Sequence, residues 1–332
     1  MRPGRRRALL LGAGLAAAAV LAFAWAWRPA RTLGPVSDPA QRKAAKLVRR
    51  ALRTGDPERL REAASRLGSA PAPYRGGPDG QYLRDLVSYL LTPEESRAQA
   101  FPDPLRRASL RELTSDHSRL ALVVLDMFFF GAHQRREVDS EEAYAFELSA
   151  CTNPQREMER PQAIVDFLAL KPGDRVADVG SGPGYYTFRF AEAVGGAGRV
   201  YAVEVNRWMI DFLKRYIAER RIGNVVVWVG KLDETAMPEG ALDQAFMTHM
   251  FVDIERYYGE AHKRKLYGSV LRSLKPGGCF TVCEPTLGSQ PDLTADEIAG
   301  RLRAYGFRSF SRPPAASPLN QAPVVKCVKA FR

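Results

Sequence analysis

Hydrophobic and polar residues follow two different patterns along the chain. From about residue 155 onward, short apolar runs rich in β-branched residues are separated by longer amphipathic stretches. Strands that are almost continuously apolar, each followed by a helix, are typical of a parallel sheet that is covered by helices on both faces. The pattern predicts strands at 174–179, 198–205, 224–230, 243–248 and 279–285.

The amphipathic stretches between these runs predict helices over 185–194, 207–221 and 255–274. Together they indicate an α/β domain over residues 151–332, and in such domains ligands bind at the carboxyl ends of the strands. Residues 37–150 show mostly helical spacing, and we expect them to form a helical N-terminal region.

Two apolar stretches precede the predicted sheet. Residues 119–133 are too short to span a bilayer and are expected to be a buried helix packed on the next domain. Residues 8–27 carry no charge over 20 positions, and as a helix they would be about 30 Å long, enough to cross a membrane. We expect 1–36 to be a membrane anchor and linker, or a cleaved secretory signal, because Ala24 and Ala26 form an A-x-A cleavage pattern. Basic residues flank the apolar run on both sides, so its orientation stays open.

The distribution of charge along the chain bears on whether the protein binds nucleic acid. The chain carries a net charge of +12 at pH 7, which by itself would suggest nucleic acid binding. Residues 1–61, however, hold 14 Lys or Arg against three acids, so the remainder is nearly neutral. Because the charge belongs to a terminal segment rather than to one face of a domain, we expect no nucleic acid partner. The four cysteines form no C-x-x-C pair, and we expect no metal site.

The first predicted strand runs into a glycine turn, VADVGSGPGYYTFRF at 176–190. A dinucleotide-binding turn has a third glycine five positions after the first, whereas Gly180, Gly182 and Gly184 form the pattern G-x-G-x-G. Asp178 precedes the turn, and its carboxylate would repel the pyrophosphate that a dinucleotide site holds at a helix N-terminus. A carboxylate at this place suits a ligand that carries an ammonium group.

The segment VADVGSGPG resembles the first motif of class I S-adenosylmethionine-dependent methyltransferases. Three further segments follow in the order and with the spacing of that family, which makes the likeness more specific than a lone glycine turn. They are GRVYAVEVN (198–206), GKLDETAMPEGALD (230–243) and LKPGGCFTV (274–282).

A longer stretch, residues 156–187, is similar to a group of bacterial predicted methyltransferases that begin with a signal-like segment. It reads REMERPQAIVDFLALKPGDRVADVGSGPGYYT. The resemblance implies a Rossmann-like, seven-stranded, mostly parallel sheet with helices on both faces. It also implies S-adenosyl-L-methionine as the cofactor, and it does not indicate the substrate.

The resemblance implies roles for individual residues at the donor site. Asp178 would meet the amino group of the donor, and Glu204 would accept hydrogen bonds from both ribose hydroxyls. Asp233 would lie near the adenine; because Lys231 stands where many relatives have an acid, Glu234 is the alternative. The remaining residues expected to contact the donor are Gly180, Ser181, Gly182, Gly184, Val205 and Thr248.

His249 is the candidate catalytic residue, since the family commonly places substrate-facing residues after the fourth strand. Its imidazole could take a proton from an oxygen or nitrogen nucleophile near neutral pH. A structural histidine that is satisfied by its neighbours is the alternative interpretation.

These features predict a membrane-associated methyltransferase that acts on a small-molecule or lipid-like acceptor. Two alternatives stay open: a protein carboxyl methyltransferase, because GDRVADVGSGPGYYT has some likeness to isoaspartyl repair enzymes, and a non-catalytic protein that binds the donor. The sequence determines neither the acceptor atom nor the oligomeric state.

Overall fold

The computed structural model describes most of the chain beyond the predicted anchor. Residues 8–27 lie outside the described part, so the anchor stays a prediction. In the part that is described, no helix is both long and apolar enough to cross a membrane. The described ranges are 39–68, 78–115, 119–129, 138–152, 159–284, 293–319 and 322–330.

A seven-stranded sheet organises the C-terminal half. Its strand order is β3-β2-β1-β4-β5-β7-β6; β1 to β5 pair in parallel, while β7 runs antiparallel to both β5 and β6. The predicted Rossmann-like, mostly parallel sheet is confirmed. The strands are β1 (Arg175–Val179), β2 (Arg199–Glu204), β3 (Val225–Val229), β4 (Leu242–Thr248), β5 (Leu274–Cys283), β6 (Arg308–Ser311) and β7 (Val324–Val328).

Successive residues of the central strands pack into two separate cores. Val176 belongs to the cluster on one face of the sheet, and its neighbour Ala177 belongs to the cluster on the other. Phe246 and Met247 of β4 divide in the same way. Because side chains alternate along a strand, burial on both faces requires the continuous apolar runs seen in the sequence.

The helices occupy the positions that the sequence pattern indicates, with one difference. The predicted helix over 255–274 is two helices that separate at Tyr258 and Gly259, where the backbone is extended. In chain order the helices are α1 (Pro39–Thr54), α2 (Pro57–Gly68), α3 (Pro78–Leu91), α4 (Arg97–Ala100), α5 (Pro104–Thr114), α6 (Arg119–Phe129), α7 (Glu141–Thr152), α8 (Pro161–Leu168), α9 (Thr187–Val194), α10 (Arg207–Arg220), α11 (Phe251–Tyr257), α12 (Glu260–Ser273) and α13 (Ala295–Ala304).

Helices α1 to α7 form the N-terminal region, and all of them except the short α4 contribute to the core on one face of the sheet. The apolar helix α6 is buried there through Val124, Leu125 and Phe129, as its composition predicts. Tyr144 of α7 packs edge-on against Phe212 of α10, with 6.3 Å between the ring centroids. The helical region therefore rests directly on the helix that follows β2.

Candidate functional site

The glycine turn leaves the carboxyl end of β1 in a conformation that favours glycine at three positions. Gly180, Gly182 and Gly184 have φ angles of +73°, +52° and +99°. A Cβ added to Gly180 would lie 1.8 Å from the sulfur of Met250, which follows β4. Glycine at 180 therefore allows the segment after β4 to approach the turn closely.

Glu204 ends β2 and points back at this turn. One carboxylate oxygen accepts the backbone N–H of Gly182 at 2.9 Å, and the other accepts those of Val205 and Asn206 at 2.7 and 2.9 Å. Burial raises the pKa of Glu204, and the three backbone donors oppose that rise by stabilising the charged form. The carboxylate is held at the edge of the sheet where the resemblance puts ribose binding.

Asp178 lies at the end of β1, just before the turn, and Ser181 lies within the turn. The Asp178 carboxylate is buried and accepts the hydroxyl of Thr187 at 2.6 Å. The hydroxyl of Ser181 is buried and has no hydrogen-bond partner among the described residues. Since an unpaired buried hydroxyl is costly, Ser181 is suited to bind a polar group of a ligand at the turn.

The loop after β3 carries the residues expected near adenine. Asp233 binds the amino group of Lys265 on α12 at 2.8 Å, and this bond lowers the pKa of Asp233. Leu232 is an exposed large apolar residue beside it. Val205 lies next to Gly230 at the start of the loop, so Leu232 and Val205 place apolar surface at this edge.

His249 lies directly after β4, beside the glycine turn. Its Nε2 is 3.2 Å from Oε1 of Glu159, and the side chain of His249 is 38% exposed whereas that of Glu159 is 1% exposed. The other Glu159 oxygen accepts the hydroxyl of Tyr186 at 3.3 Å. His249 has φ +57°, a strained conformation for a residue with a side chain, and such strain clusters at functional sites.

The neighbouring end of β5 completes this side of the site. Thr248 is buried and pairs in register with Cys283, and the backbone N–H of His249 donates to the Cys283 carbonyl at 3.3 Å. Glu284 accepts the N–H of Phe251 at 2.6 Å. Burial raises the pKa of Glu284 to about 7, and the charge of His249 opposes that rise.

The sequence motifs assign no role to four residues that the fold brings to this site: Glu159, its partner Tyr186, Glu284, and Glu147, whose carboxylate lies near Gly182. Each lies outside the matching segments or acts through a neighbour that is distant in sequence. The sequence signal for Glu159 is the segment REMERP (156–161), which carries two acids inside the stretch that resembles the bacterial methyltransferases. Nothing local to Glu147 separates it from the other acids of α7.

The sequence and the fold are similar to those of known methyltransferases. Residues 176–278 match the family model described as "Methyltransferase domain". The match covers β1 to the turn inside β5 and includes Asp178, Glu204 and His249. The match bears out the predicted methyltransferase and its cofactor, S-adenosylmethionine, whereas the bounds of the predicted domain, 151–332, stay a prediction.

Curated relatives are ubiquinone/menaquinone biosynthesis C-methyltransferases. The UbiE protein of Hydrogenovibrio crunogenus is 28% identical over 156 residues, covering 47% of this chain and 56% of the relative. The UbiE protein of Vibrio campbellii is 29% identical over 144 residues, covering 43% of this chain and 51% of the relative. The chain thus spans about half the length of the curated relatives that it matches.

Solved structures with a similar arrangement include a SAM-dependent methyltransferase from Aquifex aeolicus. That protein has a TM-score of 0.44 and 21% identity, covering 53% of this chain and 92% of its own. The geranyl diphosphate C-methyltransferase of Streptomyces coelicolor has a TM-score of 0.39 and 16% identity, covering 56% and 84% of the two chains.

The residues around the turn fit this cofactor. The buried Ser181 hydroxyl has no hydrogen-bond partner among the described residues, and the buried Glu204 carboxylate lies at the end of β2. Carboxylates accept hydroxyl and ammonium donors, both of which S-adenosylmethionine carries. The contacts of the individual donor residues with the cofactor stay predictions.

Proposed function

We propose that this chain transfers a methyl group from S-adenosylmethionine to a small-molecule acceptor whose reacting oxygen or nitrogen carries a proton. The observation that carries the proposal is the pairing of His249 with the buried Glu159, one residue beyond β4. The neighbouring Met250 reaches Gly180 of the glycine turn. A proton acceptor and a donor site are therefore adjacent.

The donor half would hold the cofactor through the turn and β2. Glu204 would accept the ribose hydroxyls, Asp178 the amino group, and Ser181 a further polar group. Gly182 leaves room for close approach of the ligand to the backbone, whereas the corresponding space at Gly180 is taken by the side chain of Met250. When bound, S-adenosylmethionine supplies a methyl group on a positively charged sulfur, which is intrinsically electrophilic.

The acceptor half would remove a proton. With Nε2–H of His249 donating to Glu159, Nδ1 is the ring nitrogen that can accept the proton of an O–H or N–H group. The Glu159 carboxylate then stabilises the positive imidazolium, and the Tyr186 hydroxyl holds that carboxylate in place. Proton removal leaves an electron pair on the acceptor atom, which is what methylation requires.

Membrane association and a lipid-like acceptor form the second part of the proposal. The support is the uncharged run of residues 8–27 and the quinone pathway named for the curated relatives. We propose that the anchor keeps the domain at the bilayer surface, where a quinol could reach the site. Membrane fractionation of the full chain, compared with residues 37–332, tests this; recovery of both in the soluble fraction would contradict it.

The experiment for the donor half is a calorimetric titration of the full chain with S-adenosylmethionine and with S-adenosylhomocysteine. Micromolar binding of both is expected. For the acceptor half, methyl-tritiated donor is offered with a phenol, an isoprenoid quinol and a primary amine. Label on an acceptor supports the proposal, whereas tight donor binding without transfer to any of the three would favour a non-catalytic role.

A further inference from the structure

Helix α7 of the N-terminal region places an acid over the glycine turn. A Cβ added to Gly182 would lie 3.7 Å from a carboxylate oxygen of Glu147. Gly182 is also the residue whose N–H donates to Glu204. Two carboxylates from different regions of the chain therefore meet at one residue of the turn.

The position of α7 is fixed by contacts at its start and along its length. The side-chain amide of Asn206 donates to the carbonyls of Val138 and Ser140 at 2.8 and 3.0 Å. The carboxylate of Asp139 accepts the N–H of Arg207 at 3.0 Å. Because Asn206 comes two residues after Glu204, the segment before α7 docks on the donor site itself.

Among the residues that the structure describes, no basic side chain pairs with either carboxylate. Glu147 is half-buried and raises the pKa of the buried Glu204 by charge repulsion, in addition to the larger effect of burial. Two acids without a counter-charge are costly beside one another, so the arrangement suits a positively charged ligand.

The unpartnered hydroxyl of Ser181 is an independent observation that points to a ligand here. It is 7% exposed, has no hydrogen-bond partner among the residues the structure describes, and precedes Gly182 in the chain. Ser181 thus places an unsatisfied hydroxyl one residue before Gly182, where the two acids meet.

We propose that Glu147 binds the positive charge at the methionyl end of the donor, so that the helical region completes the donor site. The proposal rests on the proposed function, because it requires a donor at the glycine turn. S-adenosylmethionine offers two positive groups, the sulfonium and the ammonium. S-adenosylhomocysteine retains only the ammonium, and the pair of ligands therefore tells the two contacts apart.

The test is calorimetric titration of three full-length proteins with both ligands: the wild type, Glu147→Gln and Glu142→Gln. Glutamine keeps the shape of glutamate and removes its charge. Glu142 is the matched control, because it lies on the same helix and no contact with the glycine turn involves it. Thermal unfolding of each protein confirms that the fold is kept.

Glu147→Gln is expected to bind S-adenosylmethionine about tenfold more weakly than the wild type, while Glu142→Gln stays unchanged. An equal loss for S-adenosylhomocysteine assigns the contact to the ammonium, and a loss confined to S-adenosylmethionine assigns it to the sulfonium; either supports the proposal. Unchanged affinity of Glu147→Gln beside a binding wild type overturns this inference alone. A wild type that binds neither ligand overturns the proposed function and this inference with it.

Discussion

The two halves of the candidate site are built from the chain in different ways. The donor half takes its turn and its β2 acid from one continuous stretch, residues 178–206. The acceptor half joins Glu159, His249 and Glu284, which come from three separate segments. One half is a local motif, and the other exists only after the sheet has formed.

This difference has a physical origin. A ligand held by backbone N–H groups and a strand-end carboxylate needs one strand, one turn and the next strand, so its signature survives in sequence order. A proton-accepting histidine needs only a carboxylate at hydrogen-bond distance, which any segment of the fold can supply. The acceptor half can therefore change while the donor half is kept.

The largest difference between methyl transfer and donor binding is expected for His249→Ala. We expect methyl transfer to fall roughly 10²- to 10⁴-fold, because the proton acceptor is lost, while affinity for S-adenosylmethionine stays unchanged. Transfer of tritiated methyl and calorimetry measure the two quantities. His262→Ala is the matched control, since the ring of His262 packs against Tyr258 between α11 and α12, with 4.0 Å between the ring centroids.

A positioning role for Glu159 is checked by Glu159→Gln. We expect an intermediate loss of transfer and a shift of the pH profile, because the amide cannot stabilise the imidazolium as a carboxylate does. Loss of donor affinity in either variant would mean that the two halves are not separate.

The opposite effect, a loss of donor binding, is expected for Glu204→Ala. We expect donor binding to weaken by about 1–3 kcal/mol, the scale for removing a charged hydrogen-bonding partner. Methyl transfer should fall only at low donor concentration, because the weaker binding is the sole cause of the loss. Calorimetry measures the change, and the exposed Glu192→Ala on α9 is the control. An unaltered affinity would show that the acid at the end of β2 is structural.

Glu284, in the acceptor half, should make the stability of the protein depend on pH. Its pKa of about 7 in the fold, against 4.5 ordinarily, means that the folded state holds one more proton between these pH values. Its contribution to the free energy of unfolding is therefore greatest below pH 4.5 and is lost as pH rises through about 7. Glu284→Gln should gain stability relative to the wild type between pH 5 and pH 8, as denaturant unfolding at both pH values would measure. A constant difference would exclude titration of Glu284.

The smallest effect is expected at Asp233. Its carboxylate is partly exposed and already paired with Lys265, and such surface pairs contribute little. Asp233→Asn should change donor affinity by no more than about twofold. A larger loss in the same titration would place Asp233 at the adenine, as the resemblance implies.

The boundaries of the strands and helices show which parts of the fold could be predicted from the sequence. The five strands of the parallel part were predicted within about a residue at most ends, because each is an apolar run bounded by turn residues. β5 begins at Leu274 rather than 279, because Leu274 already pairs with Leu242 and the residues before Cys279 form an irregularity within the strand. The break between α11 and α12 was missed because Tyr258 and Gly259 interrupt a pattern that is otherwise helical.

Within the site, the glycine turn was identifiable from its spacing, and Glu204 was identified through the resemblance to class I methyltransferases. Glu159 and Glu147 were not, because their partners His249 and Gly182 lie far along the chain and only the packing of α7 and α8 on the sheet brings them together. Long-range pairing of this kind leaves no periodic signal in one sequence.

The central claim is that a methyl donor binds between the glycine turn and Glu204. A crystal structure of the full chain with S-adenosylhomocysteine tests it most directly. We expect the ribose hydroxyls to bind the Glu204 carboxylate and the methionyl group to lie beside Gly180, Ser181 and Glu147. A product bound elsewhere, with Glu204 bonded only to the backbone of Gly182, Val205 and Asn206, would contradict it.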